Sequence, residues 1–237
     1  MSLKNYKLTE VQKQRLVNGV RATLSIPLID SLEDFIWEGL FCYVKQVDFV
    51  DPFIGIRSKK LFDVVDTNNN IGWSAKTVQW NFKEGGEFEV VIQRADIFKK
   101  RESLGFPELN MNSEPDLIGS ALLKHWEDKI IGDALSQKVT DRRVCILIKN
   151  IDNKKFAYFE EDFAIYKLDN IIWNWTNNTK TGLQGIRKED GFCVYRWYPN
   201  QKQFFERFKF GNGNFSFEIE PKRIGLNEII DLLNRKI

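Results

Sequence analysis

Two strand-forming runs separated by a tight turn constrain this chain most. KLFDVV (60–65) and GWSAKTVQW (72–80) are rich in β-branched and aromatic residues, and DTNNN (66–70) between them is turn chemistry. They predict an antiparallel hairpin. A second turn at KEGG (83–86) and a third run, EFEVVIQ (87–93), extend it to a three-stranded meander. Side chains alternate along a strand, so Ser74 and Lys76 share a face, and the hairpin brings Asp63 near them from the neighbouring strand.

Helices are expected on either side of this hairpin. Val11, Leu16 and Val20 recur near helical spacing over 8–22, with Thr9 placed to cap, and Pro27 closes the segment. A second helix is predicted over 31–46, with Glu33 and Asp34 in its first turn complementing the helix dipole. Its apolar stripe runs through Leu32, Phe35, Ile36, Leu40, Phe41 and Val44. Pro115 suits the start of a third helix reaching residue 137, and 142–149 and 155–159 read as strands joined by a turn at Asp152 and Asn153. Further strands are expected at 192–198 and 215–219, and a closing helix at 226–235. The stretch 163–191 has no clear period; it holds IIWNW (171–175) and a polar loop at 177–185.

No repeat, low-complexity tract or long linker interrupts the 237 residues. They predict one domain of α/β class, with a central mixed β-sheet of about five strands flanked by helices. Three cysteines, Cys42, Cys145 and Cys193, lie far apart in apolar stretches, which fits reduced core thiols rather than a disulfide framework. A single histidine, His125, and no CxxC pair argue against a structural zinc site and against Ser-His-Asp chemistry. The first residues, MSLKNYKLTEVQKQR, show no apolar core of a signal peptide, and no apolar run approaches membrane-spanning length. A cytoplasmic protein is the expectation, with no membrane partner. A net charge of +2 is too small for indiscriminate coating of nucleic acid but allows one local basic groove.

A carboxylate beside an ammonium on one sheet face suits phosphodiester hydrolysis. Asp63 would hold Mg²⁺, and Lys76 would orient the attacking water or offset charge in the transition state. The order helix, Asp63, hairpin, Ser74-Ala75-Lys76 resembles the PD-(D/E)xK nuclease superfamily, which includes most type II restriction endonucleases. In that pattern an Asp near a strand start is followed, after a hairpin, by (Asp/Glu)-x-Lys, and a preceding helix often bears a Glu. The resemblance covers about residues 30–96 and implies a restriction-endonuclease-like fold. It implies a catalytic core over about 30–160, with 161–237 serving recognition and sheet extension. It further implies Asp63, Ser74, Lys76 and Glu38 as catalytic residues, and Asp63, Glu38 and the Ala75 carbonyl as ligands of Mg²⁺. Double-stranded DNA is the implied substrate, a homodimer the implied assembly, and a DNA methyltransferase acting on the same site the implied companion.

Two positions depart from the pattern: Phe62 stands for Pro, and Ser74 stands for the acid. A serine cannot supply the charge of a second metal-binding carboxylate. Glu38, Glu87 and Glu89 are candidates to replace it. If the turn lies near Gly85, Glu89 falls about five residues, or roughly 16 Å, from Lys76, too far to share an ion, so Glu38 is preferred. The same register sets Gln93 and Arg94 beside the site as nucleic-acid contacts. Basic clusters at Arg57/Lys59/Lys60, Lys99/Lys100/Arg101 and Arg142/Arg143 are solvated faces or phosphate contacts, those at 57–60 and 99–101 flanking the site in sequence. Asn177, Asn178, Lys180 and Gln184 carry side chains suited to base edges, or form an ordinary polar loop. Three other readings stay open: a cross-strand surface ion pair for Asp63 and Lys76, a repair or junction nuclease on the same fold, and a non-catalytic binding protein.

Overall fold

The computed structural model describes residues 6–49, 60–83, 86–163, 165–211 and 214–235. The chain divides into two compact units and passes between them four times: 1–81, 136–163 and 212–237 form the first, 82–135 and 164–211 the second. These boundaries differ from the expected division near residue 160, because 82–135 belongs with later strands and the C-terminal segment returns to the first unit.

The first unit is built on a mixed sheet of five strands. β1 (Val64–Asp66), β2 (Ile71–Gln79), β4 (Asp141–Asn150), β5 (Lys155–Asp162) and β10 (Phe215–Glu218) lie in the order β1-β2-β4-β5-β10. β2 and β4 run parallel, Ile71 to Gln79 against Asp141 to Lys149, and the other pairs are antiparallel. The central β4 buries six consecutive residues, Val144–Lys149, as a strand covered on both faces does.

Two helices cover one face. α1 (Glu10–Ser25) starts in a capping box, in which the Gln12 N–H donates to Thr9 Oγ1 at 3.2 Å and the Thr9 N–H donates to Gln12 Oε1 at 3.0 Å. Its Leu16, Val20 and Leu24 recur every four residues and are buried. α2 (Asp34–Lys45) buries Trp37, Phe41 and Val44 and ends at Gln46 in the left-handed conformation. These residues form one core with Trp73 and Ala75 of β2, Cys145 and Leu147 of β4, and Phe156 and Tyr158 of β5. The strand period of two therefore fixes the faces. Trp73 and Ala75 look toward the helices, and Ser74 and Lys76 lie on the opposite side.

The second unit pairs a long helix with an antiparallel sheet. Its strands β3 (Glu87–Arg94), β6 (Ile171–Trp175), β7 (Leu183–Arg187), β8 (Cys193–Tyr198) and β9 (Gln203–Lys209) take the order β3-β9-β8-β7-β6. α3 (Pro115–Gln137) begins in this unit, and its first-turn Asp116 accepts from the Trp173 N–H at 3.0 Å. The sheet's inner face is aromatic: Trp173, Tyr195 and Phe204 are buried, with Tyr195 and Phe204 ring centroids 5.0 Å apart. A Cβ at Gly119 would lie 2.3 Å from the Trp173 ring. Gly119→Ala is therefore expected to destabilise by about 1–3 kcal/mol through overpacking, despite the better helix propensity of alanine. A thermal melt of this variant that matches the wild type would show that the indole is not held against the helix.

The three-stranded meander is not formed. β1 is only three residues long, and the third run pairs with β9 instead of β2. β4 occupies one edge of β2, and β1 occupies the other edge only at 71–73. Beyond Trp73 that second edge is met by side chains instead of a strand. The connection through Glu84 and Gly85, on which the expected register depended, lies outside the described residues. α4 (Leu226–Asn234) forms as expected and buries no residue. No helix among the described residues is long and apolar enough to cross a membrane.

Candidate active site

The shortness of β1 creates the site. Asp63 stands one residue before the strand, where the hairpin register brings it beside Ser74. Its Oδ2 accepts from the Ala75 N–H at 2.9 Å, from Lys76 Nζ at 3.2 Å and, weakly, from Ser74 Oγ at 3.5 Å. All three of these bonds fall on one carboxylate oxygen. The Lys76 and Asp63 side chains keep 25% and 14% of their surface exposed, so the pair is partly open to solvent, while Ser74 is buried. Asp63, Ser74, Ala75 and Lys76 thus lie together, held by the backbone of β2.

A second carboxylate, which sequence reasoning treated only as a partner of the helix dipole, meets the same edge. Asp34, in the first turn of α2, accepts from the Thr77 N–H at 3.2 Å and from Thr77 Oγ1 at 2.8 Å. The N–H groups of Ala75 and Thr77 point from one strand edge, two residues and so about 7 Å apart. The strand positions that Asp63 and Asp34 bond, Ala75 and Thr77, therefore bracket Lys76, and each carboxylate replaces a strand partner that β1 is too short to provide. The available signal was the carboxylate at the helix start; its target becomes visible only once the edge of β2 is known to be open.

Glu38 is buried in α2, one turn before Cys42 of the helix-facing core. Burial, and then the charge of Glu38, push the Cys42 thiol up to about 11. Its helix packs on the face of Trp73 and Ala75, away from that of Ser74 and Lys76. Among the described residues no cluster of three or more His, Cys, Asp or Glu side chains is arranged to hold a metal ion.

The remaining predicted residues fall elsewhere. Gln93 and Arg94 lie on β3 in the second unit, paired with Phe204 and Gln203, so the register that set them beside Lys76 does not exist. Glu89 is engaged there in ion pairs with Arg196 at 3.2 Å and Arg207 at 3.6 Å. Lys99, Lys100 and Arg101 are exposed on a turn of the second unit, and Arg57 and Lys59 lie outside the described residues. Asn177 is engaged within its own loop, accepting from the Thr181 N–H at 3.1 Å and donating to Thr181 Oγ1 at 2.6 Å. Lys180 Nζ donates to the Met111 carbonyl at 2.9 Å. Asn178 is exposed at the loop tip, and Gln184 lies on β7 rather than in the loop. His125 is buried in α3; burial and then the nearby Lys100 charge lower its pKa.

Comparison with protein-family models, with curated proteins and with solved structures gave no match.

Proposed function

We propose that the protein is a Mg²⁺-dependent DNA endonuclease of the PD-(D/E)xK kind, with Asp63 and Lys76 as its reactive pair. Cleavage of both strands at a defined sequence by a cytoplasmic homodimer, in the manner of a type II restriction enzyme with a companion methyltransferase, is the fuller form of this proposal. One observation carries it: a partly exposed carboxylate and ammonium 3.2 Å apart, on the open edge of a strand in a mixed α/β sheet.

Magnesium is the proposed ion because it can bind through one or two carboxylates together with waters and substrate phosphate. Asp63 would be the first ligand, with Oδ1 lying outside the bonds that anchor Oδ2. Asp34 is favoured over Glu38 as the second acid, because it is exposed and shares the β2 edge, whereas Glu38 is buried in the helix. The bound ion would polarise the scissile phosphate and acidify a water. Lys76 holds the attacking water by hydrogen bonding and offsets negative charge developing on phosphate oxygens. The Ala75 N–H fixes the Asp63 carboxylate. Ser74 takes little space beside it and donates weakly to the same oxygen.

Titration of Mg²⁺ against initial cleavage rate in Asp34→Asn and Glu38→Gln tests the assignment of the second acid. Asp34→Asn should raise the Mg²⁺ needed at least severalfold while retaining an oxygen for the Thr77 N–H. Glu38→Gln should leave that requirement close to wild type. The reverse result would return the second ligand to the helix interior.

A further inference from the structure

The β6–β7 hairpin forms the outer edge of the second sheet, since β6 is its terminal strand. Trp173 faces inward over Gly185, so the alternate residues face outward. On that outer face Asn174 stands directly opposite Gln184, and Ile172 opposite Ile186. Asn174 and Ile172 are exposed and Gln184 is partly so. Neither carboxamide side chain makes a hydrogen bond or ion pair with another described residue. Next in the row, Arg196 lies opposite Gln184 but is anchored to Glu89 and Tyr198, each at 3.2 Å.

The tip of the hairpin is locked by its own side chains. Thr176 donates through its N–H and Oγ1 to the Gly182 carbonyl at 2.8 and 3.0 Å, and Asn177 and Lys180 are engaged as described above. From 170 to 188 the chain carries Lys180, Arg187 and Lys188 and no acidic residue.

We infer that this hairpin is a recognition ribbon that enters the major groove of duplex DNA, with Asn174 and Gln184 reading adenines. The inference deepens the nuclease reading and rests on it for its ligand. Asn and Gln carboxamides offer one acceptor and one donor group, which match adenine N6 and N7 in a bidentate pair. Ile172 and Ile186 supply an apolar surface beside them, suited to the thymine methyl of the same base pair. A two-stranded ribbon fits a groove about 12 Å wide, and the absence of acidic residues leaves no charge on the hairpin to repel the flanking phosphates. The locked tip means that little ordering is required when it binds.

Selection of a random-sequence duplex library by the full-length protein, with Ca²⁺ in place of Mg²⁺, tests the inference without requiring cleavage. The wild type should enrich adenine at one or more fixed positions. Asn174→Ala/Gln184→Ala should lose that enrichment, weakening binding of the selected duplex about tenfold or more while binding of random duplex stays unchanged. Gln184→Glu, which offers only acceptors, should move the preference at its position from adenine toward cytosine. Unchanged enrichment in both variants, or none in a wild type that still cuts DNA with Mg²⁺, overturns the recognition role and leaves the nuclease reading standing. A wild type that neither binds nor cuts duplex DNA removes both.

Discussion

Asp63→Ala and Lys76→Ala should each lower the rate of DNA cleavage by about 10²–10³-fold, the scale on which loss of a positioned charge acts in the transition state. Stability should change little in Lys76→Ala, whereas Asp63→Ala also removes the acceptor of the Ala75 N–H, at a cost of about 1–3 kcal/mol. The pair is partly exposed and links a strand to the residue before its neighbour, a setting in which an ion pair contributes about 1 kcal/mol or less. Binding of duplex DNA in Ca²⁺ should survive in both, because the proposed recognition ribbon lies in the other unit. Thermal melts, equilibrium binding and single-turnover cleavage separate the three quantities. Either variant cutting at the wild-type rate would remove the chemistry from this site.

The largest stability effect is expected at Glu160, whose side chain is fully buried on β5. Its carboxylate accepts from Trp73 Nε1 at 2.7 Å, the Tyr158 hydroxyl at 2.5 Å, Lys45 Nζ at 2.9 Å and Arg143 Nη1 at 3.2 Å. Burial alone would raise its pKa. The Lys45 charge, with hydrogen bonds from Tyr158, Lys45 and Trp73, outweighs burial and holds the group below its ordinary value. Glu160→Ala would strand the partly buried Lys45, leave Arg143 with Asp141 alone, and leave Trp73 and Tyr158 without this partner, at a cost of about 3–5 kcal/mol. For a chain of this size that lowers the melting temperature by about 10 °C.

Because the folded pKa is depressed, the stabilisation is present above the ordinary carboxylate value of 4.5 and is lost as pH falls through the folded value. Wild-type stability should therefore decline on acidification below that value, and Glu160→Ala should decline less steeply. Equal acid sensitivity in the two proteins would mean that other carboxylates govern the acid limb.

Local signals made much of the first unit legible. The Thr9 cap, the apolar stripe of α2 and the DTNNN turn each specify their element through contacts only a few residues apart in sequence. Nearness of Asp63 to Lys76 followed from the hairpin alone, and the structure brings them together. What could not be read depends on distant pairing. β9 was missed because QFFERFK buries Phe204, Glu206 and Phe208 in alternation, and the charged middle residue hides the period. Its partner β3 lies more than a hundred residues earlier, so nothing local opposed the simpler meander. The parallel register of β2 with β4 has the same non-local origin, and it leaves open the edge that Asp34 reaches. The loop after β6 looked suited to base edges by composition, but its Asn177 and Lys180 are held in the turn, and the carboxamides without a partner among the described residues lie on the strands beside it.

Incubation of supercoiled plasmid with purified protein in Mg²⁺ and in EDTA, with Lys76→Ala in parallel, tests the central proposal most directly. The expected result is Mg²⁺-dependent conversion to discrete linear fragments by the wild type, with plasmid intact in EDTA and essentially intact with the variant. Plasmid left intact by the wild type in Mg²⁺, or cut equally by Lys76→Ala, would contradict it.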